Sequence, residues 1–417
     1  MKKIAIIGGG ISGTSMARIL SDEGSYEPTL FEKKSNLGGL VACERIDGAL
    51  FHKVGGHVFN TKNPEVEKWF WSFFDRDNEF QKAVRNAKIY IFQKYVGYPI
   101  ENFLYQLPED IAKQSIDELL NKKDDDVEAL NFDDFLYQTF GKTLYSEYFN
   151  PYNSKLWNMD LKEVPLAWLE GKLPMPKVKE IIKSNILRKE ESEMVHATFY
   201  YPKKGGSQFI IDRLSKDIRA KKEMEVVSID QEQGMLLINQ NYTFDKIVFT
   251  GDVRSLNNII KFERSDELDS LLKSLTQLKS NGTSNFLCET DPTDLSWLYL
   301  PEKDLAAHRI IYTGNFSATN NAVNGRPTCV VEFSGEHDEK AMLEEIKRLP
   351  GNLKPLARNF EPNSYIIHEK NTSRLIDQLK QLLEPYGIYL LGRFAEWQYY
   401  NMDKCIEASL ELNKKLQ

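Results

Sequence analysis

The stretch Ile4-Ala5-Ile6-Ile7-Gly8-Gly9-Gly10-Ile11-Ser12-Gly13 decides the fold of this chain. Its apolar start predicts a short buried strand, and the apolar residues at helical spacing after the glycines predict a helix. A second predicted strand, Thr29–Phe31, ends in Glu32, which lies 19 residues beyond Gly13. A strand, a glycine turn, a helix and a distal acidic residue in this order indicate a dinucleotide-binding fold.

Each part of this fingerprint has a physical role. Gly8 allows the tight turn, Gly10 lets the backbone approach a pyrophosphate, and Gly13 lets the helix pack closely on the strand. The N-terminus of the helix then faces the phosphates, because its free N–H groups attract anions. The carboxylate of Glu32 can accept hydrogen bonds from a ribose.

Composition narrows the class of protein. A chain of 417 residues with 41% hydrophobic residues predicts two or three domains with a sizeable core. A formal charge of -7 argues against a general nucleic-acid-binding protein. No apolar stretch approaches the length of a membrane span, and the N-terminus enters a strand with no signal-peptide pattern. The four cysteines and six histidines show no metal-ligand spacing, so we expect a cytoplasmic protein without a metal site.

The identity of the dinucleotide is indicated just downstream of Glu32. Asn36-Leu37-Gly38-Gly39 resembles the segment that passes under FAD in flavoproteins of the glutathione-reductase and amine-oxidase type. An ordinary turn that uses glycine for its backbone freedom is the alternative. At this distance from Glu32, the glycine pair favours FAD.

Four further blocks resemble the UDP-galactopyranose mutase family, and they occur in the order of that family: Phe51–Thr61, Tyr98–Asn102, Tyr152–Trp157 and Gly392–Asp403. Because the blocks are spread along the chain, the resemblance covers nearly all of it.

The resemblance implies an α/β fold with three parts. These are a discontinuous Rossmann-like FAD-binding domain, an inserted helical domain and a small antiparallel β-sheet domain for substrate. The predicted bounds are 1–100, 195–275 and 365–417 for the FAD-binding domain, 101–194 for the helical insert and 276–364 for the sheet domain.

The resemblance also implies an activity. Enzymes of this family are isomerases that interconvert the pyranose and furanose forms of a nucleotide sugar without net redox, with N5 of the reduced flavin as the nucleophile at the anomeric carbon. We therefore expect bound FAD, a UDP-hexose substrate and an external reductant such as NAD(P)H. A homodimer and a role in cell-surface polysaccharide biosynthesis are further expectations from the family.

The fingerprint and the resemblance together predict the site residues. The predicted cofactor contacts are Gly8, Gly10, Ile11, Ser12, Gly13, Glu32, Lys33, Gly38, Gly39, Leu40, His57, Val226, Gly392, Arg393 and Met402. The predicted substrate contacts are Tyr152, Trp157, Lys172, Arg309, Tyr365, Tyr399 and Asn401. The predicted catalytic residues are Arg309, His57 and Lys172.

Some of these residues have a second interpretation. His57 matches a histidine that sits against the flavin, but it could instead be a core histidine that bonds a backbone carbonyl. Tyr152 and Trp157 match aromatic residues that hold the nucleotide, yet aromatic residues on a helix are ordinarily part of a core. Tyr365 and Tyr399 match tyrosines that reach the diphosphate, and either could be an ordinary packing residue.

Two residues depart from the family pattern. Lys172 stands where the resemblance implies an arginine, and a lysine lacks the bidentate fork of a guanidinium. Asn401 stands where the family usually has an acidic residue. Galactose is the default sugar, and a related hexose, an N-acetylated or acidic sugar, or another nucleotide carrier stays open.

Two other classes of protein remain as alternatives. Tyr201–Ser207 and Asp245–Thr250 resemble segments of amine oxidases and protoporphyrinogen oxidases, which share the FAD-binding domain but transfer hydride to the flavin. A flavin-binding protein without catalytic function is the third. The block Gly392–Asp403 favours the mutase, because an oxidase needs no diphosphate-binding site.

Overall fold

The computed structural model describes residues 1–122, 129–166, 177–188 and 198–417. The strands are β1 Lys2–Ile7, β2 Tyr26–Phe31, β3 Cys43–Ile46, β4 Ala49–His52, β5 Phe80–Val84, β6 Ala87–Ile91, β7 Lys94–Gly97, β8 Thr198–Pro202, β9 Ala220–Lys221, β10 Ile229–Glu232, β11 Met235–Ile238, β12 Tyr242–Phe244, β13 Lys246–Phe249, β14 Ser280–Glu289, β15 Trp297–Tyr299, β16 Ala307–Ile311, β17 Thr328–Ser334, β18 Lys354–Ile366 and β19 Ile388–Leu390. The helices are α1 Ile11–Glu23, α2 Pro64–Trp71, α3 Arg76–Glu79, α4 Glu109–Leu120, α5 Phe132–Leu144, α6 Asn150–Trp157, α7 Val178–Leu187, α8 Gln208–Leu214, α9 Leu256–Ile259, α10 Asp266–Leu275, α11 Glu339–Ile346, α12 Thr372–Leu383 and α13 Met402–Leu416.

A five-stranded parallel sheet in the order β19-β13-β1-β2-β9 forms the centre of the first domain. Ile4 and Ile6 of β1 pack on one face of the sheet in the same cluster as apolar residues of α1 and α13, whereas Ala5 and Ile7 face a second cluster on the other side. A strand that is buried on both faces has to be apolar throughout, which explains the run that opens the sequence. The predicted Rossmann-like α/β class is confirmed.

A small antiparallel sheet, β10-β11-β12, packs beside this domain. The sequence predicts a strand from Val226 to Ile229, but the strand begins only at Ile229. The cause is Asn239, whose side-chain oxygen accepts hydrogen bonds from the backbone N–H groups of Val227 and Ser228. These two N–H groups are therefore satisfied without a strand partner.

A seven-stranded sheet in the order β18-β14-β17-β16-β15-β6-β7 forms the second domain. It is mostly antiparallel, and β15 pairs with β6 in parallel. The strands β6 and β7 lie within the segment 1–100 that the sequence assigns to the FAD-binding domain, so the chain enters this sheet before it enters the helical region.

The helices α4 to α7 form a helical region that follows β7 and precedes β8 in the sequence. Their apolar residues, among them Phe132 and Leu136 of α5, share one hydrophobic cluster with Trp297 and Ile311 of the seven-stranded sheet. A common core fixes the helical region against the sheet. The sequence predicts helices at Asp110–Leu120, Asn131–Phe140 and Lys177–Leu187, and these correspond to α4, α5 and α7 within a few residues.

Candidate active site

A cavity of about 580 Å³ opens at the carboxyl ends of β1, β2 and β13. This is the edge at which parallel α/β sheets bind nucleotides, and the volume suits a large ligand. The predicted cofactor residues that line it are Gly8, Gly10, Ile11, Ser12, Glu32, Lys33, Gly38, Gly39, Leu40, His57, Val226, Arg393 and Met402. Asn401, predicted as a substrate contact, lines the same cavity.

Gly13 and Gly392 support the cavity from behind its wall. A Cβ atom on Gly13 would lie 1.9 Å from the carbonyl oxygen of Gly8, so only glycine lets α1 approach the turn this closely. Gly392 has a φ of +94°, which side chains rarely adopt, and its N–H donates to Oε2 of Glu396 at 2.8 Å. Both glycines therefore shape the cavity.

The carboxylate of Glu32 is held in place by the backbone. Its Oε2 accepts the N–H of Gly9 at 2.7 Å, and its Oε1 accepts the N–H of Lys34 at 2.8 Å. A carboxylate oxygen can accept two hydrogen bonds, so each oxygen keeps acceptor capacity toward the cavity. This arrangement suits a ribose hydroxyl.

His57 lies on the cavity wall with its Nε2 atom buried and without a hydrogen-bond partner in the described part of the chain. Burial lowers the pKa of His57 to about 3, the positive charge of Arg393 adds to the effect, and the Val54 backbone opposes it through a hydrogen bond. The ring is therefore neutral at pH 7. The hydrogen bond to the Val54 backbone agrees with the core-histidine interpretation, and the flavin contact through Nε2 stays a prediction.

Next to His57, strand β16 places Arg309 at the centre of a polar cluster. The Nε–H of Arg309 donates to Oε2 of Glu332 on β17, and a terminal nitrogen donates to the hydroxyl of Tyr365 on β18 at 2.9 Å. The other oxygen of Glu332 accepts the N–H of Gly55 at 2.8 Å. Burial opposes the charge of Arg309, but Glu332 raises its pKa well above the usual value.

Tyr365 and Tyr399, both predicted as substrate contacts, connect this polar cluster to Arg393 at the cavity. Tyr365 stacks on Tyr399 with ring centroids 5.9 Å apart, and the guanidinium of Arg393 lies 4.6 Å from the ring centroid of Tyr399. Arg393 also donates to the carbonyl oxygens of Tyr400 and Ser364. The structure thus brings Arg309, Tyr365, Tyr399 and Arg393 together, although they come from distant parts of the chain.

The two predicted aromatic residues of α6, Tyr152 and Trp157, differ in burial. Tyr152 is half-buried, stacks on Tyr148 and meets the ring of Tyr299 edge-on at 5.5 Å. Trp157 is 4% exposed and packs in the core of the helical region. The placement of Trp157 agrees with the packing alternative. The partly buried Tyr152 packs against the same cluster, so its substrate contact stays a prediction.

Lys172 lies outside the described residues, so its predicted role stays a prediction.

Several charged residues at or near the site were not predicted from the sequence, among them Lys34 and Asp252 at the cavity, and Glu332 and Arg85. Glu332 is an acidic residue in the otherwise uncharged, fully buried strand β17, and that pattern could have indicated it. Arg85 lies with its guanidinium carbon 5.2 Å from the ring centroid of Tyr98 and 5.1 Å from that of Trp297. No local signal indicates Arg85, since its aromatic neighbour Trp297 is far away in sequence.

Within the described ranges, no group of three or more histidine, cysteine, aspartate or glutamate residues is arranged to hold a metal ion. Across the same residues, the helices are too short or too polar for any of them to cross a membrane.

Comparison with known proteins agrees with this geometry. Residues 6–76 match the family model of an NAD(P)-binding Rossmann-like domain. The UDP-galactopyranose mutase of Mycoplasma pneumoniae is 24% identical over 447 aligned positions, which cover 99% of this chain and 95% of the relative. The chain is thus similar to a UDP-galactopyranose mutase along nearly its whole length. The resemblance seen in the sequence blocks is thereby confirmed.

A solved structure supports the relationship at the level of the fold. A crystal structure of reduced UDP-galactopyranose mutase matches with a TM-score of 0.89 and 19% identity, covering all of this chain and 94% of the other. A second curated mutase, the dTDP-fucopyranose mutase of Escherichia coli, is 29% identical over 183 residues, which are 42% of this chain and 46% of the relative. The chain thus spans about half the length of the first curated relatives it matches.

Proposed function

We propose that this protein is a flavin-dependent nucleotide-sugar mutase that interconverts the pyranose and furanose forms of a nucleotide hexose without net redox. The observation that carries the proposal is Arg309, a largely buried cation held by Glu332 and Tyr365 beside His57 and the nucleotide cavity. A buried guanidinium next to a cofactor cavity suits the diphosphate of a nucleotide sugar. Similarity to the mutases along nearly the whole chain supports the same assignment.

The residues present fit FAD as the cofactor. The glycine turn and the N-terminus of α1 would hold the pyrophosphate, Glu32 would hold the ribose, and the unpartnered Nε2 of His57 would meet the flavin. When bound in its reduced form, the flavin supplies the nucleophilic nitrogen for attack at the anomeric carbon.

The residues of the chain then bind and orient the substrate. A guanidinium has five N–H donors, and in the described part of the chain Glu332 and Tyr365 take two of them. The remaining donors can bond the diphosphate oxygens. The negative charge of Glu332 balances Arg309 while the site is empty of phosphate, and Tyr365 and Tyr399 add a hydroxyl-bearing wall. His57 is neutral, so it can position a ligand without adding charge.

The substrate class follows from these contacts and from the relatives. A UDP-hexose, with UDP-galactose as the default, is the first candidate, and the similarity to a dTDP-fucopyranose mutase makes a dTDP-deoxyhexose the second. Lys172 and Asn401 stay the proposed determinants of the sugar. We further propose the domain bounds predicted from the sequence, with β6 and β7 assigned to the sheet domain, together with a homodimer, a cytoplasmic location, NAD(P)H as reductant and a role in cell-surface polysaccharide synthesis.

The test uses the protein purified with its flavin. After reduction with dithionite, UDP-galactopyranose and dTDP-fucopyranose are supplied separately, and the products are separated by chromatography. We expect furanose isomer from at least one of them with reduced protein and none with oxidised protein. Conversion of neither sugar nucleotide, together with bleaching of the flavin by an amine substrate, would favour the alternative, an FAD-dependent oxidoreductase of the amine oxidase or protoporphyrinogen oxidase type. Purified protein without flavin absorbance would contradict both.

A further inference from the structure

Glu332 contacts two separate parts of the site, Arg309 and the backbone of Gly55. It lies on β17, is fully buried, and each of its carboxylate oxygens has a different partner. Oε2 accepts the Nε–H of Arg309, and Oε1 accepts the backbone N–H of Gly55 at 2.8 Å. A buried carboxylate is stable only when both oxygens are paired, so these two contacts are required together.

The contact at Gly55 leads to the cofactor cavity. Gly55 has a φ of +66°, and a Cβ atom placed on it would lie 3.4 Å from Nε2 of His57. The imidazole ring is therefore folded back over the turn that Gly55 begins. Because the ring also lines the cavity, the conformation of this turn sets where His57 meets the cofactor.

The contact at Arg309 leads to the proposed diphosphate site. The side chain of His308 also lies near Glu332, with its Nε2 3.7 Å from Oε2. Burial lowers the pKa of His308 far below its usual value, so this ring is neutral. The charge of Glu332 is thus balanced by Arg309, and the position of the guanidinium depends on this carboxylate.

We propose that Glu332 is a positioning residue shared by two sites, because it aims Arg309 at the diphosphate and holds the Gly55 turn that presents His57 to the cofactor. This inference rests on the proposed function for the identity of the two ligands. It distinguishes Glu332 from a carboxylate that only neutralises an arginine, since loss of Glu332 disturbs both sites at once.

The chain contains a matched control. Glu79 also pairs with an arginine, Arg213, and accepts a backbone N–H, that of Asp75 at 2.9 Å, but it does not line the nucleotide cavity. Glu79→Gln therefore repeats the chemical change of Glu332→Gln away from both sites. Tyr365→Phe is the complementary variant, because it removes the other partner of Arg309 and leaves Glu332 and Gly55 untouched.

The experiment compares these variants as full-length, FAD-loaded proteins. UDP and dTDP dissociation constants are measured by titration calorimetry, and the visible absorption spectrum of the flavin is recorded without nucleotide. We expect Glu332→Gln to weaken nucleotide binding about tenfold or more and to shift the flavin bands. We expect Tyr365→Phe to weaken binding a few-fold with an unchanged flavin spectrum, and Glu79→Gln to change neither property.

The second variant Glu332→Asp covers the case in which Glu332→Gln does not fold. Aspartate keeps the charge but is one methylene shorter, so it cannot hold Arg309 and Gly55 in place together, and we expect both nucleotide binding and the flavin spectrum to change, each by less than in Glu332→Gln. Weaker nucleotide binding with an unchanged flavin spectrum in the Glu332 variants would overturn the shared role. Wild-type protein that binds neither UDP nor dTDP would overturn the proposed function, whereas wild-type conversion of a sugar nucleotide with unaffected Glu332 variants would overturn this inference alone.

Discussion

The nucleotide cavity and the Arg309 cluster are built in different ways. The cavity is lined by the glycine turn Gly8–Ser12 and by Gly38–Val41, together with later segments such as Met224–Val227 and Phe249–Asp252. The Arg309 cluster consists of charged and aromatic side chains from three strands of the seven-stranded sheet, β16, β17 and β18, together with the backbone N–H of Gly55. A site of backbone groups depends on close approach and fails through steric clash, whereas a site of buried charges depends on pairing and fails through an unpaired charge.

The largest effect is expected from steric clash at the cavity. Gly13→Ala places a methyl group 1.9 Å from the Gly8 carbonyl oxygen, and neither backbone can move without separating α1 from β1. We expect a cost of about 3 kcal/mol or more and a loss of soluble, flavin-containing protein. Gly10→Ala is the control, because its nearest neighbour would be 3.9 Å away. Thermal unfolding of both variants without flavin measures the difference, since Gly10 also lies at the proposed pyrophosphate site. Equal stability would show that close packing at Gly13 is not needed.

The second-largest effect is expected in the Arg309 cluster, when a buried charge is left without its partner. Arg309→Ala leaves the buried Glu332 without its cationic partner, and we expect a loss of about 3–5 kcal/mol in the free energy of unfolding. We also expect nucleotide affinity to fall about tenfold or more, because a charge-assisted contact to phosphate is worth about 1.5–3 kcal/mol. The flavin content of the purified variant should be the same as that of the wild type. Denaturant unfolding and nucleotide titration check the two effects, and unchanged nucleotide affinity would contradict the assignment of Arg309.

A smaller effect depends on pH and on His52, a fully buried residue that hydrogen-bonds to the hydroxyl of Tyr201 at 2.6 Å. Burial lowers the pKa of His52 to about 4, whereas the unfolded chain has a histidine pKa near 6.5. Between these values the unfolded state binds the extra proton, so stability is present above pH 6.5 and is lost as the pH falls toward 4.

At pH 5 the contribution of His52 to this loss is about 2 kcal/mol. We expect His52→Gln to reduce the difference in unfolding free energy between pH 7 and pH 5 by about that amount. Chemical denaturation at the two pH values provides the measurement. An identical pH dependence in wild type and variant would mean that His52 is solvated or charged in the folded protein.

The smallest effect concerns an ion pair that joins the two domains at the cavity. Lys34 and Glu361 are 3.3 Å apart, and the side chain of Lys34 is 58% exposed. A surface ion pair of this kind contributes about 0–1 kcal/mol, so Lys34→Gln should change stability little and reduce its dependence on salt. Unfolding at low and high ionic strength tests this, and a large loss of stability would show that the pair carries more of the domain contact than its exposure indicates.

The same difference in construction explains what the sequence could predict. The glycine turn and Glu32 were predicted because they belong to a continuous motif with fixed spacing, whereas later cavity residues such as Phe249–Asp252 were not predicted. Arg309 and Tyr365 were found through the family resemblance. They are 56 residues apart in the sequence, so their hydrogen bond could not be predicted from local patterns. Glu332 and Arg85 were missed because the partners that explain them lie on other strands.

Some differences between the predicted and the observed strands have local causes. The strand predicted at Val226 was displaced because the Asn239 side chain satisfies the backbone there. The strand β18 contains Pro355 and Pro362 and several charged residues, a composition that does not predict a strand of this length. Alternating apolar residues in β6 and β7 predict strands but do not show which sheet they join.

The entry of β6 and β7 into the second sheet has a consequence for engineering the chain. The first sheet takes its strands from before this hairpin and from after it, up to β19, so the polypeptide passes back and forth between the two sheets. A single cut would therefore leave each fragment with an incomplete sheet. Chimeras that exchange the substrate-facing part with another mutase need splice points on both sides of β6–β7 as well as around β14–β18.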